Sequence, residues 1–381
     1  MDRTSRFWKD TSGSITALTA VLLIAFVGAL AFVVDLGHLH IVQNELRNAA
    51  DDCALRGARA FLPQDITGMT APPSSDWMKN NAETQASLAI ADNNSDKGIK
   101  ANPALKDLPV ADMTVGVWNF ATRTMMAWQW PPDAAYWGKM VGPGISLPVK
   151  RTDSYNDGPV RMSLASFLGK DEVSVKTTAT AALTPKGGTM PGAPTLPFGT
   201  WGDLLTGIGQ ILHGTFKKDG TDTMGWTNLD PADTNPNASE LKKMINDATG
   251  RYTPDCPTGS SVGIQNGVAS SVIQNMIAPN NRFGLAPSLT NPDIYVPTGT
   301  NAAGVPYADV VYEMPVFQDN GSGDKFNQSA VVGAVPIKIV QVQGPPSNTI
   351  DVQIVGGNYV SPGYGGGLWY GILSPQPFLV Q

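Results

Sequence analysis

The rhythm of apolar positions changes twice along this chain, and each rhythm predicts a different element. From Ile15 to Val34 no residue is charged, and only Thr16, Thr19 and Gly28 interrupt the apolar run. A helix rising about 1.5 Å per residue covers the roughly 30 Å hydrocarbon core of a bilayer with such a run. Ile15, Leu18, Leu22, Leu23, Ile24, Phe26, Val27, Leu30, Phe32 and Val34 are the candidate membrane-facing residues. From Leu39 the pattern narrows. Leu39, Val42, Leu46, Ala50, Cys53, Ala54 and Ala58 recur at three- and four-residue spacing between polar positions such as Gln43, Asn44 and Arg47. Together these predict one continuous helix from about residue 14 to 61. Its second half carries small residues suited to close packing against another helix or against the protein's own domain.

Beyond Phe61 a period of two takes over in several stretches. A short helix is expected around Asp76 to Ala91, then a hairpin of Met113–Phe120 and Met125–Trp130. Further strands are expected at Ile145–Arg151 and Glu172–Leu183, with one or two helical turns at Met162–Leu168. In the distal part an amphipathic helix is predicted through Trp201, Leu204, Leu205, Ile208, Ile211 and Leu212. Two more helices come after it, Leu241–Ala248, capped by Ser239 or Asn237, and Val268–Ile277. Strands at Val310–Phe317, Val331–Val342 and Thr349–Val360 close the chain, the last two turning at Gly344-Pro345-Pro346. The fold class expected is α+β: a transmembrane helix continuing as a long helix, followed by β-rich exported domains.

Charge sets an orientation. Arg3, Arg6 and Lys9 outweigh Asp2 and Asp10 before the span, so the positive-inside rule keeps the N-terminus cytoplasmic and exports the chain beyond residue 35. The apolar run exceeds the roughly 7–15 residues of a cleavable signal sequence, and no small-x-small site ends it. A retained single-pass anchor is therefore expected, with the bulk of the chain exported.

The chain has 381 residues, room for an anchor and two domains. Residues 1–61 form a stub, span and extended helix; 62–184 a first exported domain; 185–197, rich in Pro and Gly, a linker; 198–381 a second domain. Charged residues are 15% of the chain, below the usual quarter or so of a soluble domain, and 40 Gly with 30 Pro favour turns over a helical bundle. With net charge −6 and no long basic block, nucleic acid is not an expected partner.

Candidate chemistry is sparse. His38 and His40 lie two apart on a helix and so point to different sides, while His213 has no acidic neighbour nearby in sequence. No H-E-x-x-H, nucleophile elbow, P-loop or dinucleotide fingerprint occurs, so no catalytic residue, metal or cofactor is expected, and the chain does not read as an enzyme. Asp319–Asp324 has calcium-like residue types without the EF-hand order. Cys53 and Cys256 are either a disulfide across an exported domain or two buried thiols. Trp118, Trp128, Trp130 and Trp137 are either a binding surface or cross-strand core pairs.

The helix carries a resemblance. Gly13-Ser14-Ile15-Thr16-Ala17 opens the span, Val34-Asp35-Leu36-Gly37 ends it, and Asn44-Glu45-Leu46-Arg47-Asn48-Ala49-Ala50-Asp51-Asp52-Cys53-Ala54-Leu55-Arg56-Gly57-Ala58 comes next. This resembles the N-terminal segment of TadE/TadG-like Flp pilus-assembly proteins. The resemblance implies a location in a bacterial inner membrane with the bulk periplasmic or at the cell surface, a pilin-like first exported domain, a candidate processing site at Gly13/Ser14, and pilus or secretion subunits as partners in a homo- or hetero-oligomer. It implies an assembly role, or alternatively that of a minor or tip pilin acting as an adhesin. The related pilins carry Glu at the fifth position beyond the glycine; here that position is Leu18. The distal half resembles, more loosely, the C-terminal region of shorter family members.

Overall fold

The computed structural model describes residues 12–62, 74–92, 112–130, 134–152, 159–162, 169, 171–193, 195–216, 223–233, 235–247, 251–265, 270–318, 328–355, 359–360 and 363–380. The helical turns expected at Met162–Leu168 and the loop Asp319–Asp324 fall almost wholly outside them.

Helix α1 is a single 48-residue element, Ser12–Arg59, close to the 14–61 expected. Arg56 and Arg59 in its last turn complement the negative end of the helix dipole. Helix α2, Ser75–Asp92, starts where the Ser74 hydroxyl accepts the Trp77 backbone N–H at 3.2 Å.

Six strands come next: β1 (Thr114–Asn119), β2 (Thr124–Met126), β3 (Val141–Arg151), β4 (Val160–Arg161), β5 (Glu172–Val173) and β6 (Val175–Pro185). The distal chain supplies β7 (Phe198–Trp201), β8 (Ile211–Thr215), β9 (Met224–Trp226), helix α3 (Ala238–Asn246), β10 (Ser261–Gly263) and helix α4 (Ser270–Met276). It ends with β11 (Leu285–Pro287), β12 (Ile294–Pro297), β13 (Tyr312–Phe317), β14 (Gln328–Gln343), β15 (Thr349–Ile354), β16 (Tyr359–Val360) and β17 (Ile372–Leu379).

A six-stranded sheet runs β16-β17-β6-β3-β1-β2, and a nine-stranded sheet runs β11-β12-β14-β13-β7-β9 with β10 and β15 on β14 and β8 on β15. The long strand β14 is the spine of the second sheet. It pairs antiparallel with β13 (Met314 opposite Val335) and with β15 (Ile337 opposite Ile354). Val335, Ile337 and Ile339 turn one face of β14 into a core shared with Ile350, Val352 and Ile354, against which α3 and α4 lay Leu241, Ile245, Val272 and Ile273.

Asn237 caps α3: its side chain accepts from the N–H groups of Ser239 and Glu240, while Glu240 reaches back to the Asn237 N–H. Removing the cap with Asn237→Ala is expected to cost about 1 kcal/mol, read as a lowered denaturation midpoint. An unchanged midpoint would show that packing alone holds the helix.

Contacts divide the chain into two compact units. One comprises residues 1–54, 86–114 and 146–179; the other comprises 55–85, 115–145 and 180–381. Strands β3 and β6 each run from one unit into the other. Strand β17, from the far end of the chain, also pairs with β6 (Phe378 opposite Ala182).

Two expectations are corrected. Residues 201–212 are not an amphipathic helix but the end of β7, one 3-10 turn at Gly202–Leu204, and the start of β8. Gly207 and Gly209 take φ of 145° and 86°, which no right-handed helix contains. Within the segment 185–197, Lys186, Thr189, Ala193, Thr195 and Leu196 are buried. Gly188 there allows close approach: a Cβ on it would lie 2.2 Å from the Cys256 carbonyl oxygen. Finally, the strands expected at 125–130 and 349–360 are shorter, ending at Met126 and Ile354.

Candidate functional site

Helix α1 has two halves of opposite character. The nominated span residues Ile15, Leu18, Leu22, Leu23, Ile24, Phe26, Val27, Leu30, Phe32 and Val34 are all exposed, from 48% at Phe32 to 72% at Ile24. A run with this many large apolar residues left in water would be untenable, because each large side chain forgoes about 1.5–3 kcal/mol of burial. A bilayer would supply the missing apolar surroundings. This is the one helix among the described residues long and apolar enough to cross it.

At Asp35 the pattern inverts. Asp35, Val42, Leu46, Ala50, Cys53, Ala54 and Ala58 are buried, and Leu39 is half-buried. The small residues therefore line the face of α1 that is covered by the protein's own chain, Leu39 to Ala54 in the first unit and Ala58 in the second. Leu36 and Ile41 remain exposed just beyond the span, at 45% and 57%.

The four tryptophans lie in the second unit and turn inward. Trp118 and Trp130 are buried, and Trp128 and Trp137 half-buried. Trp128 stacks on Phe61 with centroids 5.6 Å apart, and its Nε1–H donates to Ser75 Oγ at 3.0 Å. Trp130 tilts against Trp369 at 4.6 Å, and Trp137 meets Tyr370 edge-on at 5.6 Å. The Trp128 contacts join the chain just after α1 and the start of α2 to the segment that follows β2. The tryptophan contacts fit the core alternative and leave no shared aromatic face for a ligand among the described residues.

Cys53 and Cys256 are both buried thiols, with no disulfide between them. Burial, reinforced by Asp255 and Asp230, pushes the Cys256 thiol up from 9.0 to about 12. The folded state thus holds this proton more tightly than the unfolded chain. Its contribution to stability is full below pH 9.0 and is lost as pH rises toward about 12. The peptide bearing Cys256 is expected to resist alkylation at pH 8 until the protein is denatured; rapid labelling of the native chain would contradict this.

His213 gains the acidic neighbour that local sequence lacks. It sits on β8 opposite Asp351 of β15, with Nδ1 2.5 Å from Asp351 Oδ1, while Gln341 donates to Asp351 Oδ2 at 2.8 Å. His38 is half-buried and His40 exposed on α1. Among the described residues no group of three or more His, Cys, Asp or Glu is placed to hold a metal.

One charged cluster was invisible in the sequence. Lys186, fully buried, places Nζ 2.5 Å from Glu313 Oε1, and the Thr195 hydroxyl donates to the same oxygen at 2.7 Å. The two charged residues are 127 positions apart. No local motif could announce them.

These features define an α+β protein with one long N-terminal apolar helix, long and apolar enough to cross a membrane, followed by β-rich sheets. Residues 13–60 match the model of the TadE/G-like Flp pilus-assembly family, a structural and assembly family rather than an enzymatic one. The match coincides with α1 and ends with it, so the distal half lies outside it. No curated protein and no solved structure matches the chain.

Proposed function

We propose that this protein is a membrane-anchored structural or assembly component of a Flp-type pilus or tight-adherence secretion machine. The observation that carries the reading is the coincidence of the family match at 13–60 with one helix whose first half is uncovered and apolar and whose second half is buried along one face. Its action is mechanical. The Ile15–Val34 span holds the chain in the inner membrane with Arg3, Arg6 and Lys9 on the cytoplasmic side. The units built on the helix are thereby held at the outer face of that membrane, where other subunits are recruited. The exposed side of α1 just beyond the span, with Leu36, His40, Ile41 and Arg47, is the surface offered to them.

Deleting the gene is expected to abolish surface pili, and the wild-type chain to restore them. Unchanged piliation in the deletion strain would end the reading. Protease added to spheroplasts is expected to digest the chain beyond residue 35 and to spare the stub. N-terminal sequencing then separates the two roles. An intact terminus in the inner-membrane fraction fits an assembly component, whereas a mature terminus at Ser14 would make it a processed minor or tip pilin, an adhesive role among them.

A further inference from the structure

Lys186 follows the last residue of β6, a strand of the six-stranded sheet, and Glu313 lies on β13 of the nine-stranded sheet. Both belong to the second unit, and their side chains are 0% and 5% exposed. Burying an ammonium and a carboxylate costs several kcal/mol per ion, and an ion pair alone often fails to offset it. Two details set this pair apart. Glu313 Oε1 receives both Lys186 Nζ at 2.5 Å and the Thr195 hydroxyl at 2.7 Å, whereas Glu313 Oε2 is buried without a hydrogen-bond partner among the described residues. The chain also fixes the approach from both sides. The Leu196 N–H bonds the Glu313 carbonyl oxygen at 2.8 Å, and the Lys186 stem runs so close to Gly363 that a Cβ there would lie 2.3 Å from Cε.

We propose that Lys186 and Glu313 condense to a side-chain amide, a covalent staple between the end of β6 and β13. The balance is that of a simple dehydration. Two protons pass from the Lys186 ammonium to Glu313 Oε2. The Nζ lone pair adds to Cδ while the Thr195 O–H holds the charge that develops on Oε1, and Oε2 departs as water. One N–H remains on the new amide, and no oxidant, reductant or co-reactant is needed. Desolvation holds the Lys186 ammonium below the ordinary lysine range despite the opposing pull of Glu313, which makes the nucleophilic amine accessible. The unpartnered Oε2 is then the leaving oxygen, and the amide replaces two buried charges with one neutral group. The bond would close a loop of more than a hundred residues, restricting the unfolded chain as a disulfide does. The inference stands on the pair itself and not on the pilus reading.

The test is peptide mapping of the full-length protein, extracted in detergent and then denatured and digested with trypsin. The expected result is a branched fragment joining the Lys186 and Glu313 peptides, lighter than their sum by one water, with the Lys186–Gly187 bond uncut. Lys186→Arg, which keeps the charge but cannot make this amide, is expected to restore the two separate peptides at full mass. Separate full-mass peptides from the wild type, with cleavage after Lys186, would overturn the proposal and leave an ordinary ion pair. A missing water that persists in Lys186→Arg would overturn it as well.

Discussion

Replacing Ile24 with arginine is expected to drive most of the protein out of the membrane fraction. Ile24 lies near the middle of the Ile15–Val34 run and is 72% exposed, with no protein surface among the described residues to receive a charge. On the insertion scale an isoleucine at the centre of a span contributes about −0.5 kcal/mol and an arginine about +2.5 or more, a swing of about 3 kcal/mol. That corresponds to more than a hundredfold change in the insertion equilibrium. The same charge at Ile41, also exposed but beyond the span, is expected to leave membrane association intact. Carbonate extraction followed by blotting reads both. If Ile24→Arg stays as firmly bound as the wild type, the exposed apolar half of α1 is not a membrane anchor, and the proposed mechanical role loses its footing. The Ile41 variant carries a second readout: if the exposed face beyond the span recruits other subunits, it should lower piliation without changing membrane association.

The second large effect is expected from Trp226→Ala. Trp226 is 0% exposed on β9, stacked on Phe216 at 4.7 Å and edge-on to Phe198 at 5.5 Å. It belongs to the cluster that joins the nine-stranded sheet to α3 and α4. Truncating it removes the largest side chain of that cluster and leaves a cavity that the β9–β7 ladder cannot close, since Phe198 is pinned directly opposite. A loss of about 3–5 kcal/mol is expected, measured as a lower denaturation midpoint. Trp77→Ala makes the contrast. Trp77 is 40% exposed on α2, and its truncation is expected to shift stability by about 0.5 kcal/mol or less. Equal effects would mean that the aromatic cluster does not carry the distal fold.

How much could be read from the sequence depends on the range of the forces involved. The span and the continuation of α1 were legible because both are local periodicities of a single helix: Leu39, Val42, Leu46 and Ala50 declare a face whatever covers it. The capped helix at Asn237 and the alternation of Val335, Ile337 and Ile339 were legible for the same reason. The helix expected through Trp201 and Ile208 failed because its apolar spacing also suits two short strands, and Gly207 and Gly209 decide between them by backbone conformation. That residues of 185–197 are buried was not legible, because Gly and Pro mark close backbone packing as readily as a linker. The tryptophans left two readings open, since only their surroundings distinguish a core from a surface.

The sequence by itself determined that the chain has an apolar run long enough to cross a bilayer, that this run continues as one helix, and that this helix resembles a pilus-assembly segment. Each is a property of neighbours within a few turns. Only the tertiary structure decided that the small-residue face is covered by the protein's own chain, that β17 returns to pair with β6, and that Lys186 meets Glu313. Those depend on which residues more than a hundred positions apart are brought together when apolar surface leaves water, and no local pattern encodes that pairing.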